Sequence, residues 1–393
     1  MFRRTFLSGL LPVSLLRGLS RPPLKITGMD VVVVKVNVRG NWVLLRLRTD
    51  QGLTGLGEAS QGVSQDGAMR AALAECFEFA RGQSPFDIES FRRRAWPFAK
   101  SGGRRTATAL SAMEQAMWDL AGKALGVPVY DLLGGKLRDD LEVYANVNRA
   151  TNDDRTPEAF ARNARRAVEA GFRAIKAAPF DGFPKLSAPE PEIKKAAELG
   201  IACLEAMRRA AGPEVKILVD CHSRFSRELA IETAHRLDPV NLFWYEEPVA
   251  PARTEDMVAI SKSIRQPISG GEALFGTLGF SPLIQSGAFA FIMPDVKHCG
   301  GILEGRKIAA LAELNNVAIA PHNPSGPVAT AASVQLCAGI PNFAILEHAW
   351  GEASWSKDLI VPPEEFRNGR IRVPTAPGLG IELNEKTVAA HAA

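Results

Sequence analysis

Three carboxylates stand at equal spacing, each closing a short apolar run: Asp220 after Ile217-Leu218-Val219, Glu246 after Leu242-Phe243-Trp244-Tyr245, and Glu272 after Pro267-Ile268-Ser269-Gly270-Gly271. Both steps are 26 residues, room for one strand, one helix and two short loops. Strands repeated at that period lie parallel, and a closed barrel of them brings their C-terminal ends to one mouth. Three acids converging there suit a hard cation, so Asp220, Glu246 and Glu272 are expected to form a Mg²⁺ site. Acids that simply start helices are a plainer explanation for any one of the three. That explanation does not account for the even steps.

More chemistry gathers at the other strand ends. Asp220 and His222, two apart in Val219-Asp220-Cys221-His222, would share one strand face. Lys176 closes Ala174-Ile175-Lys176, and its same-face neighbour two residues on, Ala178, carries no reactive group. Asp295 and His322 end consecutive strands, Ile292-Met293-Pro294-Asp295 and Ile319-Ala320-Pro321-His322. A carboxylate beside an imidazole fixes its tautomer and raises its basicity, as a general base requires. Glu347 ends Ile345-Leu346-Glu347 and completes the rim, whereas Glu247 is expected on the face opposite Glu246, in contact with a barrel helix. One histidine alone is more often structural. Two of them beside a cation site, a lysine and further carboxylates point to metal-assisted proton abstraction next to a carboxylate.

Placing these groups together takes eight strands. Strand ends are read at Val147, Lys176, Asp220, Glu246, Glu272, Asp295, His322 and Glu347, with helical stretches between most of them. The expected fold is α/β, a (β/α)7β TIM-like barrel over residues 139–352. The one long step, Lys176 to Asp220, contains Pro179, Pro184, Pro189 and Pro191 and predicts an insertion at the mouth. Residues 24–138 read differently. Alternating runs at Val31–Val36, Trp42–Arg48 and Leu53–Ala59 are followed by helical periodicity at Gly67–Arg81, Asp87–Ala99 and Thr106–Leu125. Strands followed by helices mean a separate α+β capping domain. Residues 353–393 are expected to return to that cap, with Gly369–Pro374 as a strand added to it.

Bulk properties bound the rest. With 393 residues, 46% of them hydrophobic, the chain supports a large core plus a satellite domain. A net charge of +4, without a basic run interleaved with aromatics, indicates no nucleic-acid partner. Five scattered cysteines with no CxxC pair suggest neither a zinc site nor a disulfide framework. Residues 1–23 stand apart: Arg3-Arg4 precede the apolar stretch Leu10–Leu16, which resembles a twin-arginine export signal and is too short to span a membrane. Periplasmic export is the expectation if that signal acts, and a cytoplasmic location otherwise.

Asp220, Glu246-Glu247-Pro248, Gly270-Gly271-Glu272, Pro294-Asp295 and the Asp295/His322 pair resemble the enolase superfamily, in its mandelate racemase/muconate lactonizing enzyme branch. Within it, Asp220-Cys221-His222-Ser223-Arg224 and the run from Pro294 to Pro327 look most like the galactonate dehydratase group. The resemblance implies one Mg²⁺ on Asp220, Glu246 and Glu272, and His322, held by Asp295, working opposite His222 on a sugar acid. It implies that Glu347 hydrogen-bonds the substrate carboxylate, and that the chain forms a homo-oligomer. Racemases of the branch use two lysines one residue apart, and the second is Ala178 here, so Lys176 is expected to act as a fixed charge. A racemase or epimerase using Lys176 against His322, and a non-catalytic sugar-acid binder, are the competing readings. His348 and the Pro-rich insertion depart from the galactonate pattern. Specificity is expected from cap loops at residues 38–42 and 60–66.

Overall fold

The computed structural model describes residues 22–38, 40–60, 65–151 and 154–393, so the expected export signal lies outside the described residues. Strands β1 (Ile26–Asn37), β2 (Gly40–Thr49) and β3 (Thr54–Glu58) form an antiparallel meander. Helices α1 (Asp66–Phe77), α2 (Ile88–Ser101) and α3 (Arg104–Leu125) cover it, followed by the single turn α4 (Val129–Leu132). Their shared core holds Val33, Val43, Leu45, Leu47, Leu73, Phe91, Leu110 and Met113. α3 lies directly on β3: a Cβ at Gly57 would stand 2.0 Å from Ala112 O, so only glycine permits the approach.

Alternation then begins. The barrel strands are β4 (Asp140–Asn146), β5 (Ala174–Ala177), β6 (Lys216–Asp220), β7 (Leu242–Glu246), β8 (Ile268–Gly270), β9 (Phe289–Ile292), β10 (Ala318–Ile319) and β11 (Leu346–His348). Between them run α5 (Pro157–Glu169), α6 (Glu190–Ala211), α7 (Arg227–Arg236), α8 (Thr254–Ser263), α9 (Gly276–Gln285), α10 (Gly301–Leu314) and α11 (Pro327–Ala338). Every sequential pair from β4 to β10 is parallel, and β11 pairs with β4. The ring closes through the parallel bridge of Ile319 with Phe343, just ahead of β11. This is the (β/α)7β barrel with an α+β cap that the spacing predicts.

The interior explains the mouth. Tyr144, Ala174, Leu218, Trp244, Met293, Ala320 and Ile345 form one buried cluster inside the ring. Two residues further along the chain stand Asn146, Lys176, Asp220, Glu246 and Glu347 on their strands, and Asp295 and His322 just past the ends of β9 and β10. A period of two keeps both members of each pair inward, so the apolar layer fixes which residues reach the mouth. Val147, expected as the first strand's end, instead joins the outer core against the helices, and Asn146 is the inward residue.

The tail behaves differently from its expectation. After β12 (Ile360–Val361), the hairpin β13 (Phe366–Arg367) and β14 (Arg370–Arg372) attaches to the barrel, with Ile371 opposite Leu141 on β4. The reason lies in β4's length. Its barrel neighbours pair with residues 143–146 only, which leaves the backbone of residues 140–142 for β14. The chain then reaches the cap. β15 (Glu382–Leu383) pairs with β12, α12 (Glu385–Ala390) follows, and the Ala393 N–H donates to Val33 O at 3.1 Å. Among the described residues, no helix is long and apolar enough to cross a membrane.

Candidate active site

Asp220, Glu246 and Glu272 each present a carboxylate oxygen within 4.8 Å of the other two, a grouping that could hold a metal ion. Glu246 is fully buried, its Oε2 accepting from Trp244 Nε1 at 3.0 Å, so the barrel's apolar plug also aims this acid. Burial and the adjacent Asp220 carboxylate push the Glu246 carboxyl well above the ordinary range, against the pull of Lys176. Glu272 Oε2 is buried with no aligned hydrogen bond, although His322 Nε2 lies 3.1 Å away. Three hard oxygens, one of them unsatisfied, make a donor set that fits a divalent cation.

Lys176 is buried to 1% exposure, its Nζ 2.9 Å from Glu246, 3.4 Å from Asp220 and 3.7 Å from Glu347. Burial alone would lower its pKa, but the carboxylates of Glu246, Glu347 and Asp220 outweigh that and raise it well above lysine's usual value. Lys176 is thus a held cation. Glu347 has no exposed surface; Oε1 accepts from Asn146 Nδ2 at 2.6 Å and Oε2 from the Asn323 N–H at 3.0 Å. It stands behind Asn146 and Lys176, which do line the cavity, and presents no surface of its own for the expected bond to substrate.

Three imidazoles, those of His222, His298 and His322, line a cavity of about 240 Å³. His322 Nδ1 lies 2.8 Å from Asp295 Oδ2, an oxygen that Lys297 Nζ at 3.3 Å and His298 Nε2 at 3.6 Å also approach. Burial would raise the Asp295 carboxyl; Lys297, His298 and His322 together hold it well below the usual range. His222 is more open, its side chain 35% exposed against 10% for His322. It reaches the mouth by a route that strand alternation does not supply. β6 ends at Asp220, and the chain turns through left-handed backbone at His222 (φ 45°) and Ser223 (φ 59°). That turn brings Nε2 to 3.0 Å from Asp220 Oδ2 and Nδ1 to 2.5 Å from Asp181 Oδ1.

Three residues at the rim escape or contradict the pattern reading. Asn146 was hidden by the one-residue slip at Val147. Asp181, in the Pro-rich insertion after β5, sits in no periodic run, and only the insertion's expected place at the mouth pointed toward it. Glu247 bonds to loops, not to the expected barrel helix. With φ 38° it leaves the strand geometry, accepts the Gly271 N–H at 2.9 Å and approaches Ser223 Oγ at 3.5 Å, so it braces the neighbouring mouth loops. Burial and Glu272 push its carboxyl up to about 7. From the cap, Asn41, Trp42 and Ser60 close the cavity. Two buried cap acids dock on barrel helices: Glu58 accepts the Gly326 and Ala329 N–H groups at 2.8 and 2.9 Å, and Glu114 accepts those of Ile302 and Leu303 at 2.7 and 2.8 Å. Each fills the N-terminus of the helix that follows a rim loop, α11 after His322 and α10 after Asp295.

Residues 24–134 match the mandelate racemase / muconate lactonizing enzyme N-terminal domain, and residues 159–387 match the enolase C-terminal domain-like family. The chain belongs to the enolase superfamily, in its mandelate racemase/muconate lactonizing enzyme branch. It is 34% identical to a D-xylonate dehydratase of Haloferax volcanii, over 92% of this chain and 88% of that one. It is 33% identical to a D-galactonate dehydratase of Variovorax paradoxus, over 89% and 91% of the two chains. A solved mandelate racemase/muconate lactonizing enzyme from Sulfitobacter sp. superposes with a TM-score of 0.85 at 33% identity, covering 94% of this chain and 96% of its own.

Proposed function

We propose that this protein is a Mg²⁺-dependent dehydratase of a sugar acid, of aldonate or aldarate type. One observation carries the reading: beside a cavity lined by Asp220, His222 and His322, the three-carboxylate cluster to which Asp220 belongs meets two histidines, each with Nδ1 against its own aspartate. Dehydratases acting on xylonate and galactonate among the relatives support the substrate class. Asp220, Glu246 and Glu272 would hold the ion, which when bound supplies positive charge beside the substrate carboxylate and favours the negative charge that builds there on proton loss. His322 Nε2 takes the proton from the carbon next to that carboxylate, while Nδ1–H stays on the ring, hydrogen-bonded to Asp295, which stabilises the imidazolium. Lys176 keeps a cation at the carboxylate end, oriented with Asn146 by Glu347 from behind. His222 Nε2 gives a proton to the β-hydroxyl, the C–O bond breaks, and water leaves. The resulting enol rearranges to a 2-keto-3-deoxy acid.

The epimerase reading needs Lys176 as a base. Three carboxylates within 3.7 Å keep that ammonium charged, which disfavours it. A panel of aldonic and aldaric acids, incubated with the enzyme and Mg²⁺ and assayed for 2-keto acid, tests the proposal. Keto acid from at least one of them, lost on adding chelator, is expected. Epimerised acid without keto product would overturn it.

A further inference from the structure

Asp181 divides its carboxylate between two partners. Oδ1 lies 2.5 Å from His222 Nδ1, and Oδ2 accepts from Arg155 Nη2 at 2.9 Å. Arg155 is tied down in turn, its Nη1 donating to Ala178 O at 2.7 Å. Asp181 and His222 belong to different loops, one after β5 and one after β6, and three aromatic rings clamp those loops together. Phe180 and Phe183 flank Asp181, and Phe225 follows His222; the centroid of Phe225 lies 4.9 Å from Phe180 and 5.3 Å from Phe183. All three rings are buried. Gly200 on α6 makes room for the clamp, since a Cβ there would stand 2.1 Å from Phe180.

The backbone of the His222 loop is strained as well as clamped. Two successive non-glycine residues in left-handed conformation persist only where the surroundings hold them. Here the His222 N–H donates to Asp220 Oδ1 at 2.9 Å and the Ser223 N–H to Glu247 O at 2.7 Å. An exposed ion pair between loops would need none of this fixing. The result copies the relation of Asp295 to His322: one carboxylate on Nδ1, with Nε2 turned toward the carboxylate cluster, 3.0 Å from Asp220 for His222 and 3.1 Å from Glu272 for His322.

We propose that Asp181 is a positioning residue for the dehydration step, accepting the Nδ1 hydrogen of His222 and holding the ring so that Nε2 delivers its proton to the leaving β-hydroxyl. This rests on the dehydratase reading above. The Nε2 proton passes to the hydroxyl oxygen, the C–O bonding pair leaves with water, and the Nδ1 hydrogen stays on the ring, hydrogen-bonded to Asp181, so His222 ends neutral. Asp181 acts through the ring and touches no reacting atom.

The test is Asp181→Asn, compared with the wild type for kcat, KM and exchange of the substrate α-proton in D₂O. The expected result is a fall in dehydration kcat of at least tenfold, part of the roughly 10²–10⁴-fold that a general acid supplies, with KM and α-proton exchange within about threefold. A merely structural loss would lower exchange and dehydration together, and that outcome, or an unchanged kcat, overturns the proposal. Arg155→Gln, which frees Asp181 without altering it, asks the same question should the first variant not fold, and a smaller fall with the same split is expected. If the wild type dehydrates no acid sugar, the dehydratase reading fails and this inference with it; if the wild type dehydrates and Asp181→Asn matches it, only this inference fails.

Discussion

At the scale of single residues, adjacent carboxylates in Glu246-Glu247 have opposite duties because the chain leaves the strand between them. Glu246 is the last residue of β7, packed on Trp244 and facing the other two acids. Glu247 turns through φ 38° to brace Gly271 and Ser223. Glu246→Gln places a neutral amide where the proposed Mg²⁺ site calls for an anionic ligand of a hard cation. Mg²⁺ binding followed by calorimetry should weaken at least tenfold, and turnover should disappear. Glu247→Gln keeps an oxygen acceptor for the Gly271 N–H, and burial already pushes the native carboxyl up to about 7, so a neutral group is tolerated there. Its Mg²⁺ affinity should stay within about threefold of wild type; equal losses in both variants would contradict this division. Most rim residues could be read from the sequence, because Lys176, Asp220, Glu246, Asp295, His322 and Glu347 obey a strict period of two behind an apolar layer. Asn146 was missed because Tyr144-Ala145-Asn146-Val147 offers an apolar residue at both parities near its end, and a slip of one residue reverses which side chain points inward. His222 was found for the wrong reason, since its position comes from left-handed turn geometry that no alternation encodes.

At the scale of elements, the cap is fastened to the barrel by buried acids at helix starts. Glu58→Ala would strand the Gly326 and Ala329 N–H groups and Ser60 Oγ, whose hydrogen bonds to the carboxylate measure 2.8, 2.9 and 2.6 Å. Losing charge-assisted bonds at a buried site should cost about 3 kcal/mol, read as a shift of the urea midpoint; a change under about 1 kcal/mol would show that the contact is replaceable. β11 carries a second element-scale device. His348 packs beside Phe172 and Phe366, with centroids 6.1 and 5.7 Å away and the two phenylalanine rings 4.5 Å from each other, and so joins the barrel to the tail hairpin. Burial in that stack lowers its pKa to about 4, despite the nearby Glu347 carboxylate. The unfolded chain therefore takes up a proton first, near pH 6.5. The contribution of neutral His348 to stability is complete above about 6.5 and is lost as pH falls toward 4. His348→Phe should accordingly gain stability relative to wild type as pH drops from 7 to 4.5; a constant difference across that range would contradict the stack. The tail hairpin was misassigned to the cap because pairing partners depend on which strand has unpaired backbone left over. The 140–142 half of β4 provides it, and nothing in Gly369–Pro374 reports it.

At the scale of the whole molecule, the fold was legible because the repeat itself is the architecture: one buried strand and one helix per 23–27 residues at most steps leave little choice of topology. Residues 1–21 lie outside the described part, and Leu24 and Ile26 of the cap are both buried. A chain starting at Pro22 should keep its thermal midpoint and its turnover, and a fall in either would assign the leader a role in folding. The central claim is that one molecule combines a base on one wall of the cavity with an acid on the other, His322 with Asp295 against His222. The measurement that tests this most directly is NMR of a turned-over acid sugar in D₂O, following α-proton exchange and 2-keto-3-deoxy acid formation in the same tube for wild type, His322→Asn and His222→Asn. The account predicts that His322→Asn loses both signals, while His222→Asn loses at least the roughly 10²-fold of dehydration typical of general acid catalysis and keeps exchange. Exchange that survives in His322→Asn and vanishes in His222→Asn would contradict the assignment of base and acid, and two variants as active as wild type would contradict the mechanism itself.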